Sequence, residues 1–500
     1  MRRRTFLQVA GLGSAAAVAG CSQASPGGPP TTSPTGGGPT VAPTVPPPDW
    51  DGLRERLGGA LLQVGEEGYD VQRRSFNPLF DRRSPIAVAT VSSVDQVKAC
   101  VDLARRSELP IAARSGGHSY AGYSVPDGGL VVDLRGLSAI EVRPDGSAVV
   151  GAGARLIDVY VALAAAGRAI PAGTCPTVGI AGLTLGGGIG VLSRKYGLTC
   201  DKLTSAEVVI ADGTTRTASG DAEPDLFWAL RGGGGGNFGI VTSFTFATDP
   251  APDVTVFMMS FPAGSAADVV GAWQEWAAQG PDELWSNAVI TGGSPPTCRV
   301  SGCFVGSPTA LKPMLDRLVA RAGVRPTSRT AQPQSYLDAM RYFAGCSRRP
   351  IAQCTPDTLP RETFVASSRI VQDPIGDPAA LSALVDGRLD MDILLDVLGG
   401  AVSRIKPEDT AFPHRTALAS AQIYQKTTVP QQEAASRAVA EVRDGLARLG
   451  ARGGYVNYIE RAMPSWGVMY YGVNVSRLHS VARRYDPDAV FAFPQSVHRA

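Results

Sequence analysis

The sequence predicts an α+β protein built from two domains, and three observations support this prediction. Its 500 residues are 44% hydrophobic and 18% charged, which provides enough apolar material for a large core and excludes extensive disorder. Strand and helix patterns alternate along the chain after residue 50. Many of the 58 glycines lie in three dense clusters before residue 250. We therefore expect a first domain over residues 50–250 and a second domain from residue 251.

The first 21 residues are predicted to be an export signal rather than part of the fold. Arg2, Arg3 and Arg4 precede an apolar stretch over residues 9–19, which is too short to span a bilayer as a mature helix. The segment resembles a twin-arginine signal, and its end resembles a lipoprotein cleavage site that leaves a lipid on Cys21. An ordinary secretory signal with an incidental cysteine is the alternative. Residues 22–49, rich in proline, glycine, serine and threonine, are expected to form a disordered tether.

Local patterns predict the elements of the first domain. Apolar residues at helical spacing, with Ser93 and Gln96 as a capping box, predict a helix over residues 93–106. Asp212-Gly213 between two β-rich runs predicts a tight hairpin within residues 206–217. The remaining predicted elements are strands over residues 110–113, 130–134, 149–153 and 240–246, and a helix over residues 156–166.

Strands and amphipathic helices are predicted for the second domain, including a helix over residues 307–322 and a last helix over residues 432–449. Residues 455–495 are rich in aromatic side chains. The cysteines after Cys21 need not form disulfides, because the export route suits proteins that fold before crossing the membrane. Cys298 and Cys303 would lie about 16 Å apart in one strand, which is too far for a disulfide.

Two glycine-rich segments contain the candidate reactive residues. His118 follows Ser115-Gly116-Gly117 at the end of a predicted strand, where glycines let backbone N–H groups turn toward an anion. A surface loop with an incidental histidine is the alternative. Cys175 lies in a turn that presents a thiol, unlike Cys100, which lies in a predicted apolar helix. This contrast favours a reactive role for Cys175.

These segments belong to a longer series of motifs that resembles the berberine bridge enzyme-like branch of the vanillyl-alcohol oxidase and p-cresol methylhydroxylase (PCMH) superfamily of flavoproteins. The resemblance extends over nearly all of the chain after about residue 65. The motifs occur in the same order as in that family and comprise Arg114-Ser-Gly-Gly-His118, Gly173-Thr-Cys-Pro-Thr-Val-Gly179, Gly186-Gly-Gly188, Gly197-Leu-Thr-Cys-Asp201, residues 232–241, Tyr470-Tyr-Gly-Val-Asn474, Arg477-Leu478, Tyr485-Asp-Pro487 and Val490-Phe491.

The resemblance implies a two-part, PCMH-type FAD-binding domain, formed by residues 50–250 and a C-terminal segment over residues 452–500. An α+β substrate domain would be inserted between them, over residues 251–451. FAD would be attached twice, to His118 through the 8α-methyl group and to Cys175 through C6, so that the flavin can sit in an open cleft without dissociating. Further cofactor contacts are implied for Arg114, Ser115, Gly116, Gly117, Ser119, Gly122, Gly173, Val178, Gly179, Gly182, Gly187, Gly190, Ile240, Val241 and Asn474.

The resemblance also implies the residues that act on the substrate. Tyr458 is the expected general base, with Tyr471 as its substitute, and Gln422 is expected over the flavin. Because a tyrosine has an ordinary pKa of about 10, Tyr458 would need a cation nearby, and Arg415 or Lys426 could supply one. Tyr458 acting only as part of an aromatic wall is the alternative.

Val178 is expected to control access of dioxygen to the flavin, because oxidases of this family tend to carry valine there and dehydrogenases a bulkier residue. The expected activity is oxidation of a hydroxyl of a carbohydrate, alcohol or glycosylated natural product, with dioxygen reduced to peroxide. A dehydrogenase with another acceptor and an inactive ligand-binding lipoprotein are the alternatives. A formal net charge of +2 excludes nucleic acid as an expected partner. We expect an exported monomer without a metal, held at the outer face of the bacterial cell membrane by Cys21 or secreted.

Overall fold

Eleven strands precede residue 251 in the computed structural model, which describes residues 45–500. They form a four-stranded sheet in the order β1-β2-β4-β3, a five-stranded sheet in the order β5-β6-β10-β8-β9, and the pair β11-β7. These strands are β1 Leu61–Gln63, β2 Ala87–Thr90, β3 Ile111–Arg114, β4 Leu130–Asp133, β5 Ile140–Val142, β6 Ser147–Gly151, β7 Arg168–Ala169, β8 Leu203–Val209, β9 Thr215–Ser219, β10 Ile240–Ala247 and β11 Asp249–Pro250.

The two larger sheets differ in strand direction. In the four-stranded sheet β4 runs parallel to both β2 and β3, whereas the five-stranded sheet is antiparallel throughout. Parallel strands need a crossover, and α3 provides it between β2 and β3. The helices of this region are α1 Trp50–Arg56, α2 Tyr69–Gln72, α3 Val94–Arg106, α4 Leu156–Ala165, α5 Ile180–Leu185, α6 Ser193–Tyr196 and α7 Pro224–Leu230.

A seven-stranded antiparallel sheet follows, in the order β15-β12-β14-β13-β17-β18-β16. Its strands are β12 Val254–Ser260, β13 Leu284–Thr291, β14 Thr297–Phe304, β15 Ser328–Gln334, β16 Phe364–Val371, β17 Met391–Val397 and β18 Ala419–Lys426. The helices between and after them are α8 Ala266–Ala278, α9 Pro308–Ala322, α10 Tyr336–Phe343, α11 Pro378–Ala383 and α12 Gln432–Arg448. The described chain is therefore α+β, which confirms the predicted fold class.

The two faces of this sheet differ in character. Along β17, Ile393 and Leu395 are buried, while the alternate positions Leu394 and Asp396 are partly exposed. The apolar face packs against helices, as shown by the indole N–H of Trp273 in α8 donating to the hydroxyl of Ser286 in β13 at 3.0 Å. The opposite face, which carries Asp396, therefore faces the part of the chain before residue 251, called the first region below.

Residues 452–500 return to the first region and carry helices α13 Trp466–Tyr471 and α14 Val475–Tyr485. The amide of Val497 donates to the side-chain oxygen of Asn237 at 2.9 Å, and the side chain of Asn457 donates to the carbonyl of Leu183 at 3.0 Å. The C-terminal segment thus completes the part of the molecule that holds the glycine-rich loops.

Most predicted elements agree with the structure to within three residues, but two predictions were wrong in detail. Ser93 caps α3 as predicted by accepting from the amide of Gln96, but the side chain of Gln96 accepts from the amide of Ser92 instead of that of Ser93, so only half of the capping box forms as predicted. The helix near residues 432–449 is not the last, because α13 and α14 follow it. The buried residues of α14, Leu478, Val481, Ala482 and Tyr485, have helical spacing that the surrounding aromatic residues obscured.

The cysteines of the described residues are mostly unpaired. Cys346 and Cys354 form a disulfide, while Cys298 and Cys303 lie in β14 as free thiols. The predicted export signal with Cys21, and most of the predicted tether, lie outside the described residues. Within residues 45–500, no helix combines the length and the apolar character needed to cross a bilayer.

Candidate active site

Two loops contact each other backbone to backbone at the centre of the site. A Cβ atom on Gly116 would lie 2.2 Å from the amide nitrogen of Gly179, and a Cβ atom on Gly179 would lie 2.0 Å from Oγ of Ser115. Such distances are far below van der Waals contact, so neither position accepts a side chain without rearrangement. The contact brings the loop after β3 against the loop that precedes α5, and with them His118 and Cys175.

His118 is held in a fixed orientation by two neighbours. Its ring stacks on Phe76 with 3.9 Å between ring centroids, and its Nε2 lies 2.9 Å from Oγ1 of Thr177. Burial, together with the nearby positive charge of Arg155, lowers the pKa of His118 to about 3. The imidazole is therefore neutral at ordinary pH and has one nitrogen with a free lone pair.

Cys175 also contacts Thr177. Its Sγ lies 3.7 Å from Oγ1 of Thr177. Burial raises the pKa of the Cys175 thiol, while hydrogen bonds from the Thr177 hydroxyl and from the backbone amides of Thr177 and Val178 act in the opposite direction. The single hydroxyl of Thr177 thus contacts both residues predicted to attach a flavin.

A cavity extends from these loops between the first region and the C-terminal segment. Of the predicted site residues, those that line it are Ser115, Gly116, Gly117, His118, Ser119, Val178, Gly179, Gly182, Ile240, Val241, Tyr458 and Tyr471. Glycines 234–236 line it as well, and Gly234 and Gly236 have φ of +85° and +78°, conformations that glycine adopts freely.

The lining is suited to FAD. Within the described chain, no acceptor takes the amide N–H groups of residues 116–119. The hydroxyl of Ser124, which also lines the cavity, is buried there without a hydrogen-bond partner. Buried polar groups normally find partners, and turned backbone amides are a common way to bind a pyrophosphate. The residues present therefore fit a dinucleotide bound in this cavity.

Some predicted cofactor contacts do not line the cavity. Arg114 is buried, pairs with Asp133 at 2.5 Å and donates to the carbonyls of Gln72, Arg73 and Arg74. It therefore stabilises the start of the loop after β3 without lining the cavity. The side chain of Asn474 donates to the carbonyls of residues 407, 410 and 411, which are outside the cavity. Both side chains thus bond to protein groups outside the cavity lining, and their contacts with a cofactor stay predictions.

Four predicted glycines also lie outside the cavity lining, and the packing around three of them explains why glycine is present. A Cβ atom on Gly122 would meet the ring of Phe80 at 2.6 Å, and one on Gly190 would meet the carbonyl oxygen of Ala172 at 1.9 Å. Gly187 has φ of +118° and would meet Phe412 at 2.9 Å. Gly173 instead accepts a hydrogen bond from the hydroxyl of Tyr160 through its carbonyl. The packing explains the presence of glycine at Gly122, Gly187 and Gly190, and the cofactor contacts of all four glycines stay predictions.

Tyr458 lies at the wall of the cavity within a cluster of aromatic rings. It stacks on Tyr120 with 5.4 Å between centroids and meets Tyr455 edge to face at 4.9 Å. The hydroxyl of Tyr120 accepts from Nε2 of Gln422 at 2.7 Å. Gln422 therefore reaches the site through Tyr120, although it does not itself line the cavity. Tyr471 lines the cavity farther along, beside Gly234 and Asn237.

Among the described residues that influence the pKa of Tyr458, none is the predicted cation. Arg415 is fully buried in a two-pronged ion pair with Asp201, at 2.8 Å for both contacts, and Lys426 is an exposed partner of Glu362. Burial raises the pKa of Tyr458 well above its ordinary value, and the nearby Asp396 carboxylate raises it further. The expectation of a cation was wrong, because the charged group near Tyr458 is an acid.

Asp396 is one of three site residues that sequence reasoning missed. Burial raises the pKa of this carboxyl to about 7, although a hydrogen bond with Asn287 opposes the shift. The available signal was a pair of aspartates, Asp392 and Asp396, at alternate-face positions of a strand whose other residues are apolar. Tyr120 and Thr177 each lie two residues from a predicted attachment residue, but nothing in the sequence distinguishes them from the other hydroxyl-bearing residues of the two loops.

Known proteins resemble this chain over nearly its whole described length. The family model described as FAD binding domain matches residues 85–219, and that described as berberine and berberine like matches residues 454–498. The FAD-linked oxidoreductase YgaK of Bacillus subtilis is 34% identical over 455 residues, which cover 89% of this chain and 98% of the relative. A chitooligosaccharide oxidase of Gibberella zeae is 31% identical over 438 residues, covering 83% and 87%.

Among solved structures, BBE-like 1 of Physcomitrella patens superposes with a TM-score of 0.84 at 31% identity, over 90% of this chain and 99% of that one. The resemblance read from the motifs is confirmed by these matches. Both the cavity and the relatives support FAD as the cofactor. The chain belongs to the berberine bridge enzyme-like family of FAD-dependent oxidoreductases, within the PCMH superfamily.

Proposed function

We propose that this protein is an oxidase that dehydrogenates a hydroxyl of a carbohydrate or of a glycosylated compound and passes the electrons to dioxygen. The observation that carries this proposal is the position of Tyr458, at the cavity wall and within the electrostatic influence of the Asp396 carboxyl. An acid whose pKa is about 7 is well suited to accept a proton at physiological pH. The residues attaching the flavin would be His118 and Cys175.

Tyr458 and Asp396 would act together on the substrate proton. When bound, FAD supplies the acceptor for the hydride that leaves the substrate carbon. A neutral tyrosine is a poor base, so Tyr458 would take the hydroxyl proton of the substrate while its own proton moves toward the Asp396 carboxylate. Tyr120, fixed by Gln422, would hold the ring of Tyr458 in place by stacking on it.

The character of the neighbouring sheet supports a carbohydrate as the substrate. The face that carries Asp396 continues across β13 and β14 as Asn287, Ser301 and Arg299, which are partly or fully exposed. Sugar hydroxyls need many donors and acceptors at fixed positions, and such a row of side chains offers both. A relative named for chitooligosaccharide oxidation is in agreement with this proposal.

The motifs suggest that residues 452–500 and 50–250 together form the FAD-binding domain and that residues 251–451 form the substrate domain. The arginines at residues 2–4 and the segment ending in Cys21 support export by the twin-arginine route and anchoring by a lipid. We propose that the mature protein acts as a monomer.

The first prediction concerns the attachment of the flavin. Denatured wild-type protein should retain its flavin, and His118→Ala and Cys175→Ala should each retain it through the remaining bond. The double variant should release all of its flavin, because FAD is then held only by non-covalent contacts. Flavin fluorescence of the band after denaturing electrophoresis, and absorbance of the supernatant after acid precipitation, measure the two fractions.

Cys100→Ala is the matched control for the cysteine, because Cys100 is a buried free thiol in α3 and does not belong to the loop that carries Thr177, and its flavin should stay attached. A wild-type pellet without colour, with free FAD in the supernatant, would contradict the attachment. Loss of all flavin in one single variant would show that only one bond exists.

The second prediction concerns proton transfer. Tyr458→Phe and Asp396→Asn should each slow reduction of the flavin by substrate by roughly two to four orders of magnitude, the usual contribution of a general base. Asp396 must be ionised to accept a proton, so the wild-type rate should rise as the pH passes through about 7. Asp396→Asn should lose that rise. Anaerobic stopped-flow reduction across a pH series is the measurement.

Tyr485→Phe serves as the control for the loss of a phenol, because Tyr485 bonds to Glu223 and does not line the cavity. It should reduce its flavin at the wild-type rate. If Tyr458→Phe reacts within a fewfold of wild type, proton transfer does not pass through Tyr458. An unchanged pH dependence in Asp396→Asn would exclude the carboxyl.

The third prediction identifies the electron acceptor and tests the function directly. Purified protein should release hydrogen peroxide with at least one member of a panel of oligosaccharides and alcohols. Val178 lines the cavity next to the Cys175 loop, so the added bulk in Val178→Leu should obstruct dioxygen. We expect reoxidation of the reduced flavin to slow by about tenfold or more, equivalent to about 1.4 kcal/mol in the barrier. Reduction by substrate should change little.

Mixing pre-reduced protein with air-saturated buffer and following the flavin absorbance provides the rate. If wild-type protein reoxidises no faster than the leucine variant, dioxygen is not the acceptor, and a dehydrogenase with another acceptor is the better account. Absence of flavin reduction by every compound of the panel would count against a hydroxyl substrate of these classes.

A further inference from the structure

Thr177 occupies a position that the established family assignment does not explain. Its side chain is 3% exposed, and its Oγ1 lies 2.9 Å from Nε2 of His118 and 3.7 Å from Sγ of Cys175. A hydroxyl has one hydrogen to donate and two lone pairs that can accept. It can therefore accept from one of these neighbours while it donates to the other.

The neutral state of His118 leaves two possible arrangements of the protons. Either Nε2 carries the hydrogen and donates to Thr177, or Nε2 accepts the hydrogen of the Thr177 hydroxyl. In the first arrangement the lone pair is on Nδ1, the nitrogen that Thr177 does not contact. The Thr177 hydrogen is then free to point at Sγ of Cys175. Only this arrangement leaves both a nucleophilic nitrogen and a stabilised sulfur anion.

We propose that Thr177 is a positioning residue for flavin attachment, accepting from Nε2–H of His118 and donating to the thiolate of Cys175. This inference rests on the proposed attachment at both residues. The hydroxyl would fix the histidine tautomer that reacts through Nδ1 and, at the same time, would stabilise the sulfur in its reactive form. One side chain would thus prepare both nucleophiles.

The overall attachment balances with dioxygen as the oxidant. Formation of the bond from Nδ1 of His118 to the 8α carbon breaks one C–H bond and, once the imidazole is neutral again, the N–H bond of Nε2. A bond from Sγ of Cys175 to C6 replaces one S–H and one C–H bond. Each attachment removes two protons and two electrons, which reduce one dioxygen to one hydrogen peroxide. Two bonds therefore consume two molecules of dioxygen, the acceptor that the proposed function already uses.

The surroundings of Cys175 support a need for this donor. Burial raises the pKa of the thiol, and the negative charge of Glu362 raises it further. The opposing influences on this pKa include the Thr177 hydroxyl and the amides of Thr177 and Val178. Because the amides cannot be removed by substitution, Thr177 is the one side chain among these donors that a variant can test.

The experiment examines the two bonds separately. Thr177→Val keeps the shape of the side chain and removes the hydroxyl, whereas Thr177→Ser keeps the hydroxyl. Each is placed in the Cys175→Ala background, where only His118 can attach, and in the His118→Ala background, where only Cys175 can attach. Purified full-length mature protein is incubated with excess FAD in air, and the intact mass of denatured samples gives the attached fraction over time.

We expect Thr177→Val to lengthen the half-time of attachment at least about tenfold where Cys175 attaches, because a hydrogen bond to a charged thiolate is lost, and about fivefold where the neutral His118 attaches. Thr177→Ser should stay within about twofold of each parent. If Thr177→Val matches its parent within twofold in either background, the inference is overturned. Non-covalent FAD binding and the unfolding temperature show that the valine variants fold, and Thr177→Ala provides a second variant without the hydroxyl.

Failure of the proposed attachment is distinguishable from failure of this inference. Wild-type protein that never acquires attached flavin contradicts the attachment itself, and the inference falls with it. Wild-type protein that attaches flavin, together with valine variants that attach it equally fast, overturns the role of Thr177 alone.

Discussion

The contact between Gly116 and Gly179 is the constraint on which the site depends. A single Cβ atom at either position would enter the backbone of the other loop or the side chain of Ser115. Because the two loops touch without intervening side chains, His118 and Cys175 can approach the same hydroxyl, that of Thr177. The glycines at these positions therefore set the distance between His118 and Cys175, which explains their presence better than loop flexibility does.

Burial then determines the chemistry of the site. It keeps His118 neutral, keeps the phenol of Tyr458 protonated and raises the pKa of Asp396 to about 7. A neutral imidazole can act as a nucleophile, and a carboxyl that titrates near neutrality can accept a proton. Exclusion of solvent raises the free energy of charged side chains, and in this way it shifts the pKa values of all three residues toward their neutral forms.

The sequence was most informative where the signal is local. Helix and strand periodicity located most elements, and the glycine-rich segments identified the loops around His118 and Cys175. Asp396 could not be placed beside Tyr458, because their proximity depends on the register of a seven-stranded sheet and on the return of the C-terminal segment. Arg415 was misplaced for the same reason, since its partner Asp201 lies in the first region. Long-range pairings of this kind leave no spacing in the sequence to detect.

The central claim is that His118 and Cys175 attach to a single flavin because Thr177 and the glycine contact bring them together. Proteolysis of the denatured holoenzyme followed by mass spectrometry of the yellow peptides tests this claim most directly. We predict one flavin-containing species in which the peptide of His118 and the peptide of Cys175 are joined through the same FAD. Separate peptides that each carry their own flavin, or a flavin on only one of them, would contradict it.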